Sequence, residues 1–163
     1  MFTCRAPAAN VKPMKSPGEI LVDEIEKHIP EFLLDPVDLA MSKGNAAFTV
    51  IDPKGRTFGR IVGTDADKGR WCFGIASRKV IQVWRTGYDT GEFEALVYAG
   101  KLDEGPTGVN RPDFIGWQGG VALEDSSGAP YAAAFSGFRG INDVAIIQKS
   151  CAAAGLRPRT HTA

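Results

Sequence analysis

The chain has 163 residues, 44% of them hydrophobic. That is enough for one domain to bury a substantial core without staples, and two full domains would be cramped. Nineteen Lys and Arg balance nineteen Asp and Glu, and the basic residues are scattered rather than gathered into a stripe, which argues against nucleic acid as a partner. The first residues hold no apolar run of signal-peptide length and no later stretch approaches a membrane span, so the expectation is a cytoplasmic protein with no membrane partner. The three cysteines, Cys4, Cys72 and Cys151, form no Cys-x-x-Cys and have no histidine at metal-ligand spacing. Free thiols in a reducing compartment, and no metal site, follow.

In chain order, residues 1–15 are rich in Ala, Pro and Lys without periodicity and read as a flexible arm. Ser16, Pro17 and Glu19 supply a cap, a first-turn proline and the acid of a capping box, so a helix starts here; Pro30 is expected to end it. A second short helix spans Pro36 to Ser42 and leaves through Gly44-Asn45. Ala47 to Ile51 is β-branched and aromatic, Asp52-Pro53-Lys54-Gly55 suits a tight turn, and Arg56 to Val62 returns as the partner strand.

From Asp67 to Arg85, Phe73, Ala76, Val80, Ile81 and Trp84 recur three or four apart and predict a long helix with these residues inward. A shorter helix follows from Thr90 and stops at Gly100. Residues 101–118 contain Gly105, Pro106, Gly108, Pro112 and Gly116 among Phe114 and Trp117, the makeup of a long functional loop. Gly120–Glu124 and Pro130–Phe135 flank Asp125-Ser126-Ser127-Gly128 as a second hairpin, and Ile141 to Ala154 forms a last helix closed by Gly155. Residues 156–163 read as a loose polar tail behind a single domain over 16–155. The order predicts an α+β fold, an antiparallel sheet of about five strands packed against helices.

Four blocks in this order resemble the GlcG/HbpS-like family, which includes haem-binding proteins and the C-terminal domain of some corrinoid adenosyltransferases. They are Phe48-Thr49-Val50-Ile51-Asp52-Pro53-Lys54-Gly55, Ile75-Ala76-Ser77-Arg78-Lys79-Val80, Gly119-Gly120-Val121-Ala122-Leu123, and Ala134-Phe135-Ser136-Gly137 with Asp143 downstream. The resemblance covers residues 46 to 155. Arg60 and Asp65 match the family's Arg and Asp after the second strand only approximately, and its first helix is longer and richer in Ala than residues 17–43. The resemblance implies a homo-oligomer, at least a dimer, that binds a small molecule, with haem a candidate cofactor.

The best site candidate is Phe135 to Asp143, where Ser136, Gly137 and Gly140 build a small-residue turn between strand and helix and Arg139 adds a fork-shaped cation suited to a carboxylate. The competing explanation is that the glycines make a turn and Asn142 or Asp143 caps the helix. Lys79 is either an anion clamp or, as interior-helix lysines usually are, solvated. Trp117 and Phe114 either cover a planar ligand or join a subunit contact. Haem would need an axial ligand, and of His28 and His161 only His28, on the first helix, is a candidate; a helix-end histidine favouring the dipole is the simpler reading. Ser136 lacks the glycine of a nucleophile elbow, and phosphate-loop and dinucleotide fingerprints are absent. Two functions remain: a binder of an anionic or planar small molecule, or a lyase or isomerase acting on a carboxylated substrate with Asp143 or Asp52 as acid/base.

Overall fold

The computed structural model describes residues 14–161; nearly all of the expected N-terminal arm, and Cys4, lie outside the described residues. Helix α1 (Pro17–Phe32) begins as the capping box requires, Ser16 accepting from the Glu19 N–H while the Glu19 carboxylate accepts from the Ser16 N–H. It does not end at Pro30. The proline falls in the last turn, and the helix continues past it until Phe32 stacks on Phe138 at 6.3 Å.

Helix α2 (Pro36–Ser42) is capped by Asp35 and leaves through Lys43 in the left-handed region. Strands β1 (Ala46–Ile51) and β2 (Thr57–Val62) form the first hairpin, helices α3 (Ala66–Thr86) and α4 (Thr90–Tyr98) follow, and β3 (Gly120–Asp125) and β4 (Pro130–Ser136) form the second hairpin before α5 (Gly140–Cys151). The long loop between α4 and β3 holds one 3-10 turn, Gly105–Thr107.

The expected loose tail, as far as His161, is not simply loose. Leu156–Pro158 forms β5, which pairs antiparallel with β3, buries Leu156, and sets Arg157 on Glu124. Three residues are too few to show alternation, so the pairing has no sequence signature. Further on, His161 stacks on Tyr88 at 4.1 Å and lies 2.7 Å from the Gly87 carbonyl.

The five described strands are antiparallel in the order β2-β1-β4-β3-β5. Alternation sends Phe48, Val50, Val121, Leu123 and Phe135 to the face covered by α1 and α5, where the main core lies. Thr49, Ile51, Ala122, Ala132 and Ala134 face α3. These side chains are mostly small, so α3 lies close, and the Thr49 hydroxyl donates to the Ala76 carbonyl at 3.3 Å.

The buried residues of α3 are Gly69, Cys72, Ala76, Lys79, Val80, Gln82 and Val83. Phe73 and Ile81, expected inward, are 40% and 52% exposed. The true stripe is rotated because it contains a lysine and a glycine that hydropathy does not count as apolar.

Candidate functional site

The rotation of α3 turns a row one helical turn apart, Lys68, Cys72, Ile75 and Lys79, toward the end of β4. Between this row and the β4–α5 turn lies a cleft of about 190 Å³. Ser136, Gly137 and Phe138 form the opposite wall together with Gly140 and Asp143 of α5; Met41 of α2 and Trp117-Gln118 of the long loop complete the rim. Two aromatic side chains stand at the mouth, Trp71 at 61% exposure and Trp117 at 63%.

The deepest polar feature of the cleft is a buried ion pair. The side chains of Lys79 and Asp143 are 3% and 4% exposed, and Lys79 Nζ donates to Asp143 Oδ2 and to the Phe135 carbonyl, both at 3.0 Å. Asp143 Oδ1 accepts the Phe138 N–H at 3.0 Å. Burial pushes the Asp143 carboxyl up to about 7, against the opposing pull of Lys79 and of the Phe138 N–H. A group that titrates near neutrality therefore sits on the cleft wall. Gly119 makes this closeness feasible: its φ is +116°, and a Cβ there would lie 2.6 Å from Lys79 Nζ and 2.8 Å from Asp143 Cβ.

Six of the residues singled out in the sequence meet in this cleft: Lys79, Trp117, Ser136, Gly137, Gly140 and Asp143. Lys79 is not solvated but buried, its charge held by a carboxylate and a carbonyl.

Four others lie elsewhere. Arg139 does not project freely to receive an anion. Its Nε and Nη2 donate to the two Asp38 oxygens at 3.2 and 3.1 Å, Nη2 also pairs with Asp35, and its backbone N–H donates to Asp38 at 2.8 Å. Asp38 is fully buried, and although burial raises its carboxyl, the hydrogen bonds from Arg139 and Asn142 outweigh this and lower it. The fork-shaped cation is thus occupied by this chain's own acids.

Phe114 packs edge-on against Phe93 at 5.5 Å and against Tyr98, away from the cleft, because the loop folds back on α4. Asp52 lies at the far end of β1, five residues from Ala47, the partner of Ser136, or roughly 16 Å along the strand. There it accepts from the Lys54 and Arg56 N–H groups and pairs with Arg56 Nε at 2.6 Å. Burial raises its carboxyl, but these partners prevail and lower it, so it is a turn-forming carboxylate rather than an acid/base group. His28 is on α1, across the sheet from the cleft, with Nε2 3.9 Å from Glu24 and Nδ1 3.9 Å from Glu31.

Met41, Lys68, Trp71, Cys72 and Gln118 join the site without having stood out in the sequence. The spacing of Lys68, Trp71, Cys72, Ile75 and Lys79 is a helical face and is readable as one once Lys79 is placed inward. Cys72 is buried but reaches the cleft wall, and burial raises its thiol. Cys151 is core, its thiol pushed up to about 12 by burial. No group of three or more potential metal ligands occurs among the described residues, and no helix there is long and apolar enough to cross a membrane.

No protein-family model and no curated protein matches the chain. Solved structures do. HbpS of Streptomyces reticuli, solved as a double mutant, superposes with a TM-score of 0.60 at 12% identity, over 93% of this chain and 96% of that one. The protein ORFY of Klebsiella pneumoniae gives 0.60 at 14% identity, over 93% and 97%. PduOC, solved as a complex with haem, gives 0.58 at 17% identity, over 87% and 96%. The chain has the α+β fold of the GlcG/HbpS-like proteins, as the four sequence blocks implied.

Proposed function

We propose that the protein binds a small planar carboxylate in the cleft between α3 and the β4–α5 turn and works as a homo-oligomer. The observation that carries this reading is the buried Lys79–Asp143 pair on the wall of a cleft whose mouth is flanked by Trp71 and Trp117. An ammonium in a low-dielectric recess attracts an anion far more strongly than one in water, and indole faces suit a flat ring.

The residues present do not fit haem. Cofactor-sized ligands occupy roughly 300–1,000 Å³, whereas this cleft offers about 190 Å³. No histidine lines it, and the Cys72 thiol is raised rather than poised as a thiolate. The likeness to a haem complex concerns the fold, and the ligand proposed here is smaller.

One observation favours a second reading, a lyase or isomerase acting on a carboxylated substrate. The Asp143 carboxyl near 7 is matched to proton transfer at neutral pH. Under that reading Asp143→Asn abolishes turnover while substrate still binds; in a pure binder the change acts on affinity alone.

Titration with benzoate, followed by tryptophan fluorescence, tests the site. Saturable quenching is expected, weakened about tenfold or more by Lys79→Met and by Trp117→Ala, the loss of one charge-assisted or stacking contact. A wild-type protein that shows no saturable change up to about 10 mM benzoate, the edge of meaningful affinity, overturns the reading.

A further inference from the structure

We propose that ligand binding in this cleft is proton-coupled: an entering carboxylate replaces Asp143 as the anion of Lys79, and Asp143 takes up one proton from solvent as it does so. This deepens the binding reading above and rests on it.

The buried Lys79 ammonium has three N–H bonds and spends two, on Asp143 Oδ2 and on the Phe135 carbonyl. The third has no partner among the described residues, and both Lys79 and Asp143 line the cleft. A ligand carboxylate that reaches Nζ therefore arrives within a few ångströms of the Asp143 carboxylate.

Two carboxylates set against the one buried ammonium of the cleft do not both stay ionised. The ligand, a free carboxylic acid of ordinary strength, has the lower proton affinity. Asp143 has the higher, since burial already favours its neutral form. The proton goes to Asp143, whose new O–H can donate to the ligand, and Oδ1 keeps the Phe138 N–H. The balance is one ligand anion and one proton in, with no net charge added to the cleft.

Among the described residues no other group competes for that proton. From α3, Lys68 lines the cleft as a second cation, with its ammonium on the Met41 carbonyl, and Cys72 is already a neutral thiol. From α2, Asp38 is neutralised by Arg139. The end of β4 presents the Ser136 hydroxyl, and the loop before β3 presents the Gln118 amide.

Benzoate affinity measured by tryptophan fluorescence from pH 6 to 9 gives the test, because benzoate stays ionised across this range. Coupling of one proton makes the dissociation constant rise by about tenfold per pH unit above neutrality, and Asp143→Asn removes the slope. In parallel, the ¹³C carboxyl resonance of Asp143 at pH 8 should move to its protonated position on saturation with benzoate, a readout that needs no variant. Saturable but pH-independent binding in the wild type overturns the coupling and leaves the binding reading standing. A slope that persists in Asp143→Asn overturns the assignment to Asp143. Absence of any benzoate binding overturns the binding reading, and the coupling with it.

Discussion

Asp143 enters the fold in the first turn of α5, where a carboxylate ordinarily stays ionised beside the positive end of a helix. Here removal from water outweighs both that field and the Lys79 ammonium, so its carboxyl sits at about 7 in the folded chain against 3.8 as a free side chain. The native state therefore binds more protons than the unfolded chain between these values. Stability from this group is fully present below about pH 4, declines as pH rises to about 7, and is flat beyond. Urea midpoints at several pH values, compared with Asp143→Asn, should show the wild type losing its relative advantage across that window. A difference independent of pH would mean that Asp143 stays ionised throughout. The residue is legible in the sequence as a candidate, since it follows a Ser-Gly strand exit at fixed distance. Its partner is not, because a lysine 64 positions away on an amphipathic helix looks solvated until the sheet face beneath it is known to be lined with alanines.

Helix α3 and the Arg139 turn show what patterns within single elements reveal and what they miss. Helix bounds lie close to expectation because caps and glycines are local signals: Asp65 caps α3, and Gly87 ends it in the left-handed region. The helical phase departs from expectation because Phe73 and Ile81 outweigh Gly69 and Lys79 on any hydropathy scale, while packing against Ile61 and the sheet needs the small and the paired residues. Gly74 lies on the exposed side of α3, where an added Cβ would meet nothing within 4 Å. Gly74→Ala should therefore raise unfolding stability by about 0.5–1 kcal/mol, the helix propensity difference; denaturant unfolding that shows a loss would mean this side is covered. Arg139 is legible as a cation in a small-residue turn, but its partner lies 101 positions earlier and leaves no local trace. Because it ties α2 to the start of α5 through buried Asp38, Arg139→Met should lower the thermal midpoint by several degrees. Benzoate affinity should stay within about twofold, as the guanidinium does not line the cleft. The reverse pattern, unchanged stability and lost affinity, would restore an anion site at this residue.

At the scale of the molecule, the apolar rim of the cleft is exposed to solvent. Met41, Trp71 and Trp117 rim the cleft, and Ile81 lies further along α3; all four are more than two-fifths exposed. Solvated indoles are costly for a chain that elsewhere buries Phe48, Phe93 and Phe135 completely. A second copy set against this rim would cover the two tryptophans and at the same time shield the Lys79–Asp143 pair, so that one contact serves assembly and closes the ligand site. Such an arrangement predicts at least a dimer at micromolar concentration. Light scattering should give a mass of two or more times the 17.5 kDa of the chain, and Trp71→Glu, which places a charge in the contact, should reduce it. Because Trp71 also lines the cleft mouth, benzoate affinity in the variant should fall below that of wild-type protein diluted until it dissociates. A wild-type mass of 17.5 kDa at that concentration would leave the tryptophans as a lid over the ligand alone.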